Sequence, residues 1–204
     1  MEQNVNHILL RGTLGELPRF SHENHGKRFF RFPLEVPRLS GAVDILPIVV
    51  SEQVINSMDL SAGEMITVSG QIRSHNLRSE GTRRLLIFVF AMDMIAEDGE
   101  PINDVQIEGI LCREPTYRRT PLGREICDVM LAVPRAFRRA DYLPCILWGR
   151  TAQDISECCV KDRIRVSGRL QSRVYTKLTP GGPQERTAYE ISALTGQFVP
   201  EETE

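Results

Sequence analysis

Apolar and polar side chains alternate in several stretches of the second half of the chain. Val105, Ile107, Gly109 and Leu111 share one parity, with polar neighbours between most of them. Cys127, Val129, Leu131 and Val133 repeat the rhythm, and Ile164, Val166, Gly168 and Leu170 repeat it again. A period of two places one strand face in a core and the other toward solvent. Tyr189, Ile191 and Ala193 mark a last strand, and the stretch from Thr151 to Val160 predicts one short helix before the fourth strand. Gly109 and Gly168, on inward parity, suit the sharp bends of a small closed barrel.

The pattern occurs twice. Val36 to Val50 aligns without gaps on Val133 to Leu147, with Val36-Pro37-Arg38 on Val133-Pro134-Arg135. Asp44, Leu46 and Pro47 fall on Asp141, Leu143 and Pro144. The same register pairs Leu34 with Leu131, Gly26 with Gly123, Pro18 with Pro115, Leu14 with Leu111 and Gly12 with Gly109. After one inserted residue, Val68-Ser69-Gly70 falls on Val166-Ser167-Gly168. A self-match of this length predicts tandem copies of one unit. The copies are expected as domains over residues 1–98 and 102–199, followed by a short acidic tail over 200–204. The polar link Glu97-Asp98-Gly99-Glu100-Pro101 separates them. Five strands with a helix between the third and fourth is the order of an OB-fold. The expected fold class is therefore all-β, two tandem five-stranded OB-fold barrels, each with one short helix. A β-sandwich is the competing all-β reading.

Charge is unevenly spread. Residues 1–100 carry 10 Lys+Arg against 13 Asp+Glu, whereas residues 101–200 carry 15 against 11, nearly all of the positive charge being Arg. Arg both pairs with phosphate and stacks on a base. The net charge of −2 argues against strong, indiscriminate polyanion binding. Parity then distributes the second copy's side chains. Leu143, Cys145 and Leu147 form one apolar face, so Tyr142, Pro144, Ile146 and Trp148 face outward, with Arg150 continuing that row. On the fourth strand Arg163, Arg165, Arg169, Arg173 and Tyr175 share the outward parity. Binding a single strand without reading sequence needs such aromatic faces beside a basic groove. Packing at an oligomer interface is the competing role for Trp148 and Tyr142, and solvation competes for Arg118, Arg119 and Arg124.

The stretch from Val105 to Phe198 resembles the DNA-binding domain of bacterial single-stranded DNA-binding proteins. The resemblance is carried by G-I-L-C-R-E-P-T-Y-R-R-T-P-L-G (Gly109 to Gly123), D-V-M-L-A-V-P-R (Asp128 to Arg135), D-Y-L-P-C-I-L-W-G-R (Asp141 to Arg150) and V-S-G-R-L-Q-S-R-V-Y (Val166 to Tyr175). The first copy matches more weakly, through the repeat. The resemblance places Phe137, Tyr142, Trp148 and Tyr175 where the family carries its base-stacking aromatics, and Arg150 and Lys161 at basic contact positions. It implies single-stranded DNA as partner, replication or repair proteins as possible further partners, and a homodimer that gathers four barrels. The family's long tail with an acidic, aromatic tip has no counterpart in Val199 to Glu204. The first copy keeps the scaffold but holds Ser40, Ile45, Ser51 and Leu77 at the four aromatic positions, so it is expected to be degenerate for binding. Phe30 and Phe32 fall on inward parity and are expected in its core.

Other classes are weakly supported. The sequence has no P-loop, dinucleotide fingerprint, nucleophile elbow or HExxH motif, so no enzyme and no cofactor is expected. His22-Glu23-Asn24-His25 has the wrong spacing for a helical zinc pair and is expected in a loop; the five cysteines lack CxxC spacing and read as reduced thiols. No apolar run approaches the roughly 20 residues of a membrane helix. Met1 to Asn6 carries no secretory pattern, so a cytoplasmic location is expected. The rival function is an OB-fold module that docks a replication-restart, recombination or conjugation partner, with DNA binding weak or lost.

Overall fold

A computed structural model of the chain describes residues 5–79, 82–179 and 181–200; Glu201 to Glu204, read above as the end of an acidic tail, lie outside the described residues. The first copy forms β1 (Asn6–Leu14), β2 (Arg19–Asn24), β3 (Lys27–Pro37), β4 (Val43–Ser51), α1 (Glu52–Ile55), β5 (Met65–Ser79) and β6 (Thr82–Ala96). The second forms β7 (Ile102–Leu111), β8 (Thr116–Arg119), β9 (Glu125–Arg135), β10 (Arg139–Trp148), α2 (Gly149–Ser156), β11 (Arg163–Thr179) and β12 (Gly182–Val199). A tight turn over Ala136–Arg138, with Phe137 and Arg138 both at positive φ, joins β9 to β10.

Each copy closes on itself. In the first, β1 pairs with β5, β5 with β6, β6 in parallel with β4, β4 with β3, and β3 back onto β1 at Leu14 and Leu34. The second repeats this with β7, β11, β12, β10 and β9, closing at Leu111 and Leu131. β2 and β8 are short additions that hairpin onto β3 and β9. These are two OB-fold barrels. The predicted interiors hold: Leu34, Leu46 and Ile48 fill one barrel, and Leu131, Leu143 and Leu147 the other, all buried. Each such side chain contributes about 1.5–3 kcal/mol relative to exposure. Phe32 is buried and Phe30 packs half-buried against the core, as parity requires.

The repeated glycines have a close-approach role. A Cβ on Gly70 would drive into the Phe90 carbonyl, and one on Gly168 into the Ser192 carbonyl. Both sit where the strand register shifts, so the Val-Ser-Gly repeat marks a bulge that bends each barrel.

Two sequence expectations shift. The second helix runs over Gly149–Ser156 rather than from Thr151 to Val160. It starts directly after β10 because Gly149 takes a φ of 57° there, and it ends before Cys158, whose N–H donates to Ile155 O at 3.1 Å. His22 is not in a loop: it lies in β2, and only His25 and Gly26, both at positive φ, make the tight hairpin turn. Among the described residues no group of three His, Cys, Asp or Glu could hold a metal ion. No described helix is long and apolar enough to cross a membrane.

The two barrels share one continuous sheet. β1 pairs antiparallel with β7, and Ile8 faces Val105, its own counterpart in the repeat. The pairing is therefore centred on a local two-fold axis, the arrangement an isologous dimer adopts. A pair of repeated aspartates clamps the same junction. Asp44, fully buried, accepts from Ser172 N at 2.7 Å and Ser172 Oγ at 3.0 Å across the barrels, and from Arg38 Nε at 2.7 Å. Asp141, its repeat partner, accepts from Ser74 N at 2.7 Å, while Tyr142 N donates to Ser74 Oγ at 2.7 Å. Burial pushes the Asp44 carboxyl up, but the Arg38 guanidinium and the Ser172 donors outweigh it and leave Asp44 below the usual carboxylate range.

Candidate nucleic-acid interface

The outer face of barrel two is built by β9, β10, β12 and β11 lying side by side. Ile146 of β10 stands between Asp128 of β9 and Ser192 of β12, and Ser192 faces Arg169 of β11. One pleat along, Pro144 faces Met130, and Gln171 faces Glu190. The parity argument holds on both strands: Leu143, Cys145 and Leu147 are buried, whereas Tyr142 is exposed and Pro144, Ile146 and Trp148 are half-buried.

The four aromatic candidates line this barrel but differ in exposure. Phe137 sits in the β9–β10 turn at a φ of 62° and is 93% exposed. A left-handed phenylalanine is costly, and strain of this kind gathers where a side chain must be presented. Tyr142 is exposed on β10. Tyr175 lies on the outer half of β11, with the Arg173 guanidinium 5.6 Å from its ring centroid. Trp148 is more enclosed than parity alone suggests. It is half-buried, and its indole Nε1 donates to Ser192 Oγ at 3.1 Å, which fixes the ring over β12.

The arginine row keeps its outward parity but splits in two. Arg165 donates to Glu108 Oε2 through Nε at 2.9 Å and Nη2 at 2.6 Å, and Arg163 lies 3.5 Å from Glu108 Oε1. Glu108 belongs to β7, on the opposite side of β11 from Trp148, so this end faces the shared sheet. Arg169 and Arg173 form the other end, among the aromatics. Arg173 lies 3.7 Å from Glu190, a nearly buried acid that Gln171 Nε2 also approaches at 3.1 Å. Arg169 is half-buried and its Nε is buried with no hydrogen-bond partner. Arg150 is exposed in the first turn of α2, where a cation gains nothing from the helix dipole. Lys161 is exposed, at a φ of 82°, in the turn before β11. Outside the row, Arg118 is held 2.7 Å from Asp128 and Arg119 2.8 Å from Glu125, so those two belong to local ion pairs.

Sequence reasoning had no access to Glu108, Glu190 or Ser192 as members of this surface. Their outward parity is visible, but which arginine or ring each meets depends on strand pairing. Chemically, the face offers π surfaces, two cations next to them and an unpaired donor, with acids that temper its charge.

A model of the single-strand binding protein family matches residues 102–199, the whole of barrel two. The single-stranded DNA-binding protein B of Bacillus subtilis is 39% identical over 80 residues, 36% of this chain and 71% of that protein. A single-stranded DNA-binding protein of Oceanobacillus iheyensis is 32% identical over 107 residues, 48% of this chain and 63% of that protein. A single-stranded DNA-binding protein 1 of Staphylococcus aureus is 37% identical over 81 residues, 36% of this chain and 48% of that protein. The chain thus spans between about half and about seven-tenths of the length of these relatives. In three dimensions, the wild-type single-stranded DNA binding protein from Thermus aquaticus superposes with a TM-score of 0.80 over 98% of this chain and 95% of that one, at 22% identity, which shows the shared fold.

Proposed function

Because this chain belongs to the single-strand binding protein family, we propose that it binds single-stranded DNA without reading its sequence. The outer face of barrel two is the platform. The observation that supports the reading is that Tyr142, Trp148 and Tyr175 share outward positions with Arg169 and Arg173 on the adjacent strands β10, β12 and β11, with Phe137 exposed in the β9–β10 turn. Bases stack on the rings, and the arginines follow the phosphates. Arg150, Lys161, Arg163 and Arg165 extend the basic path beyond the rings. The chain is the tandem form of the family, with domains over 1–98 and 102–199, and two copies associate to bring four barrels together. It acts in the cytoplasm in replication, repair or recombination and catalyses no reaction.

A second reading has one observation in its favour. Glu108 and Glu190 lie against three of the four arginines in the row. A face whose cations are already countered suits a protein partner, and the barrels would then be an interaction module with weak DNA binding.

A salt-dependent titration of Trp148 fluorescence with oligo(dT) separates the two. Trp148 is the only tryptophan. Quenching together with an affinity that falls as salt rises supports the platform. An unquenched Trp148 with no measurable binding supports the interaction module.

A further inference from the structure

Barrel one lacks the four aromatics of barrel two at the matching positions, yet its outer face is not bare. Phe90 of β6 stands between Val49 of β4 and Gln71 of β5. In barrel two that place belongs to Ser192, between Ile146 and Arg169. Ser51 pairs with Phe29 where Trp148 pairs with Ile126. A ring and a hydroxyl have therefore changed places between neighbouring strands, from Trp148 and Ser192 to Ser51 and Phe90. The arginine and the amide have changed places too, along one strand: Gln71 and Arg73 occupy the register of Arg169 and Gln171.

The permuted set is assembled, not scattered. The Phe29 and Phe90 rings lie 6.0 Å apart, and His22 stacks on Phe29 at 4.9 Å. The Arg73 guanidinium lies 5.7 Å from the Phe90 centroid. Arg28 lies 5.3 Å and 5.5 Å from the rings of Phe20 and Phe30 on the other face of β3, where it is also held 2.6 Å from Glu52, and is no member of this set.

Three further observations point to an anionic, base-bearing ligand. Among the described residues, the buried side-chain polar atoms left without a hydrogen-bond partner are Arg73 Nε and Arg169 Nε, from the permuted arginine of each barrel. Unpaired buried donors are rare and call for an acceptor. Arg73 also shares Asp141 with Arg135, at 3.5 Å and 3.4 Å, so two guanidinium groups meet one carboxylate at the barrel junction. Tyr142 of barrel two is the next residue along. Arg31, exposed beside Val49, forms no salt bridge among the described residues.

We infer that barrel one carries a second single-strand platform at a shifted position, where Phe90 and Phe29 take bases and Arg73 takes phosphate. One DNA strand then passes from barrel two to barrel one across the Arg73–Asp141–Tyr142 junction. The inference rests on the reading of barrel two as a single-strand binder. A second protein copy needs only apolar surface; a cation over a ring face and an unsatisfied donor match a polyanion with exposed bases.

The test uses the full chain with Trp148→Phe and Phe90→Trp combined, so that the sole fluorophore reports from barrel one. The probe is oligo(dT) of about 35 nucleotides, long enough for two OB-fold sites of up to roughly 16 each. Quenching of the relocated tryptophan is expected. A silent reporter while the parent Trp148 is quenched overturns the inference and leaves the barrel-two reading standing. Emission that shifts with protein concentration in the absence of DNA also overturns it, because the face is then buried between copies. If the parent neither binds nor is quenched, both readings fall. A second variant, Phe29→Leu with Phe90→Leu, keeps the apolar bulk and the fold but removes the π faces. It is expected to lose roughly 5- to 150-fold in affinity for the long oligonucleotide per stacked base, while an oligonucleotide short enough for one barrel binds as before. Unchanged long-oligonucleotide affinity in a normally melting Leu variant overturns the inference.

Discussion

Replacing Trp148 by alanine separates binding from structure at the one residue where the two meet. Parity alone treats this side chain as exposed, so that truncation costs almost no stability. The fold places it half-buried, with its indole N–H on the buried Ser192 hydroxyl at 3.1 Å. Truncation then loses one hydrogen bond, worth about 0.5–1.5 kcal/mol net, and part of the ring's contact with β12. A fully buried tryptophan costs about 3–5 kcal/mol on truncation, so Trp148→Ala is expected to lose about 1.5–3 kcal/mol, between the hydrogen bond alone and the core value. DNA binding loses one base stack, about 1–3 kcal/mol. Trp148→Phe should recover most of the binding but not the hydrogen bond, so the two losses come apart in a pair of variants. Urea unfolding and oligo(dT) titration of both variants measure this. A loss of 3 kcal/mol or more in stability, with oligo(dT) affinity unchanged in both, would refute the assignment and make Trp148 a packing residue.

Other outcomes follow from the same surfaces. Arg169→Ala combined with Arg173→Ala should flatten the slope of log affinity against log salt by roughly 1–1.5 for two phosphate contacts; an unchanged slope with normal melting would leave these arginines as solvating groups. The Asp44 carboxyl, held below its ordinary range in the folded chain, contributes stability that is complete above its unfolded value of about 4 and disappears as pH falls through its folded value. Asp44→Asn should therefore unfold at a lower urea concentration near neutrality and lose less further stability on acidification than the parent, as urea midpoints across that range would reveal. Residues 102–204 expressed alone should pair β7 with a second β7, because Val105 already lies on the local two-fold; sedimentation of that fragment as a folded monomer would show that the junction is held by other contacts.

Much of this architecture is written locally in the chain. Alternation is a property of consecutive residues, so the inward sets of β10 and β11 and the outward placement of Tyr142, Tyr175 and the arginines follow without knowledge of partners. The repeat likewise exposes Asp44 with Asp141 and Arg38 with Arg135 as matched positions. Their task does not follow, because Asp44 reaches Ser172 in the other barrel and no local pattern encodes that encounter. The division of the arginine row has the same origin: Arg165 and Arg169 have equal parity, but one meets Glu108 across β7 and the other meets Ser192 across β12. Barrel one illustrates the limit most clearly. Matching residues position by position finds Ser51 where a tryptophan stands, and only strand pairing reveals that a ring occupies the adjacent strand at Phe90.

Ultraviolet crosslinking of the intact protein to oligo(dT), with the modified peptides mapped by mass spectrometry, tests the central claim most directly, because it reports where the strand lies rather than whether it binds. Covalent thymine adducts are expected on peptides bearing Tyr142, Trp148 and Tyr175, which hold outward positions on barrel two. Adducts confined to other surfaces, with these peptides unmodified at saturating oligo(dT), would contradict it.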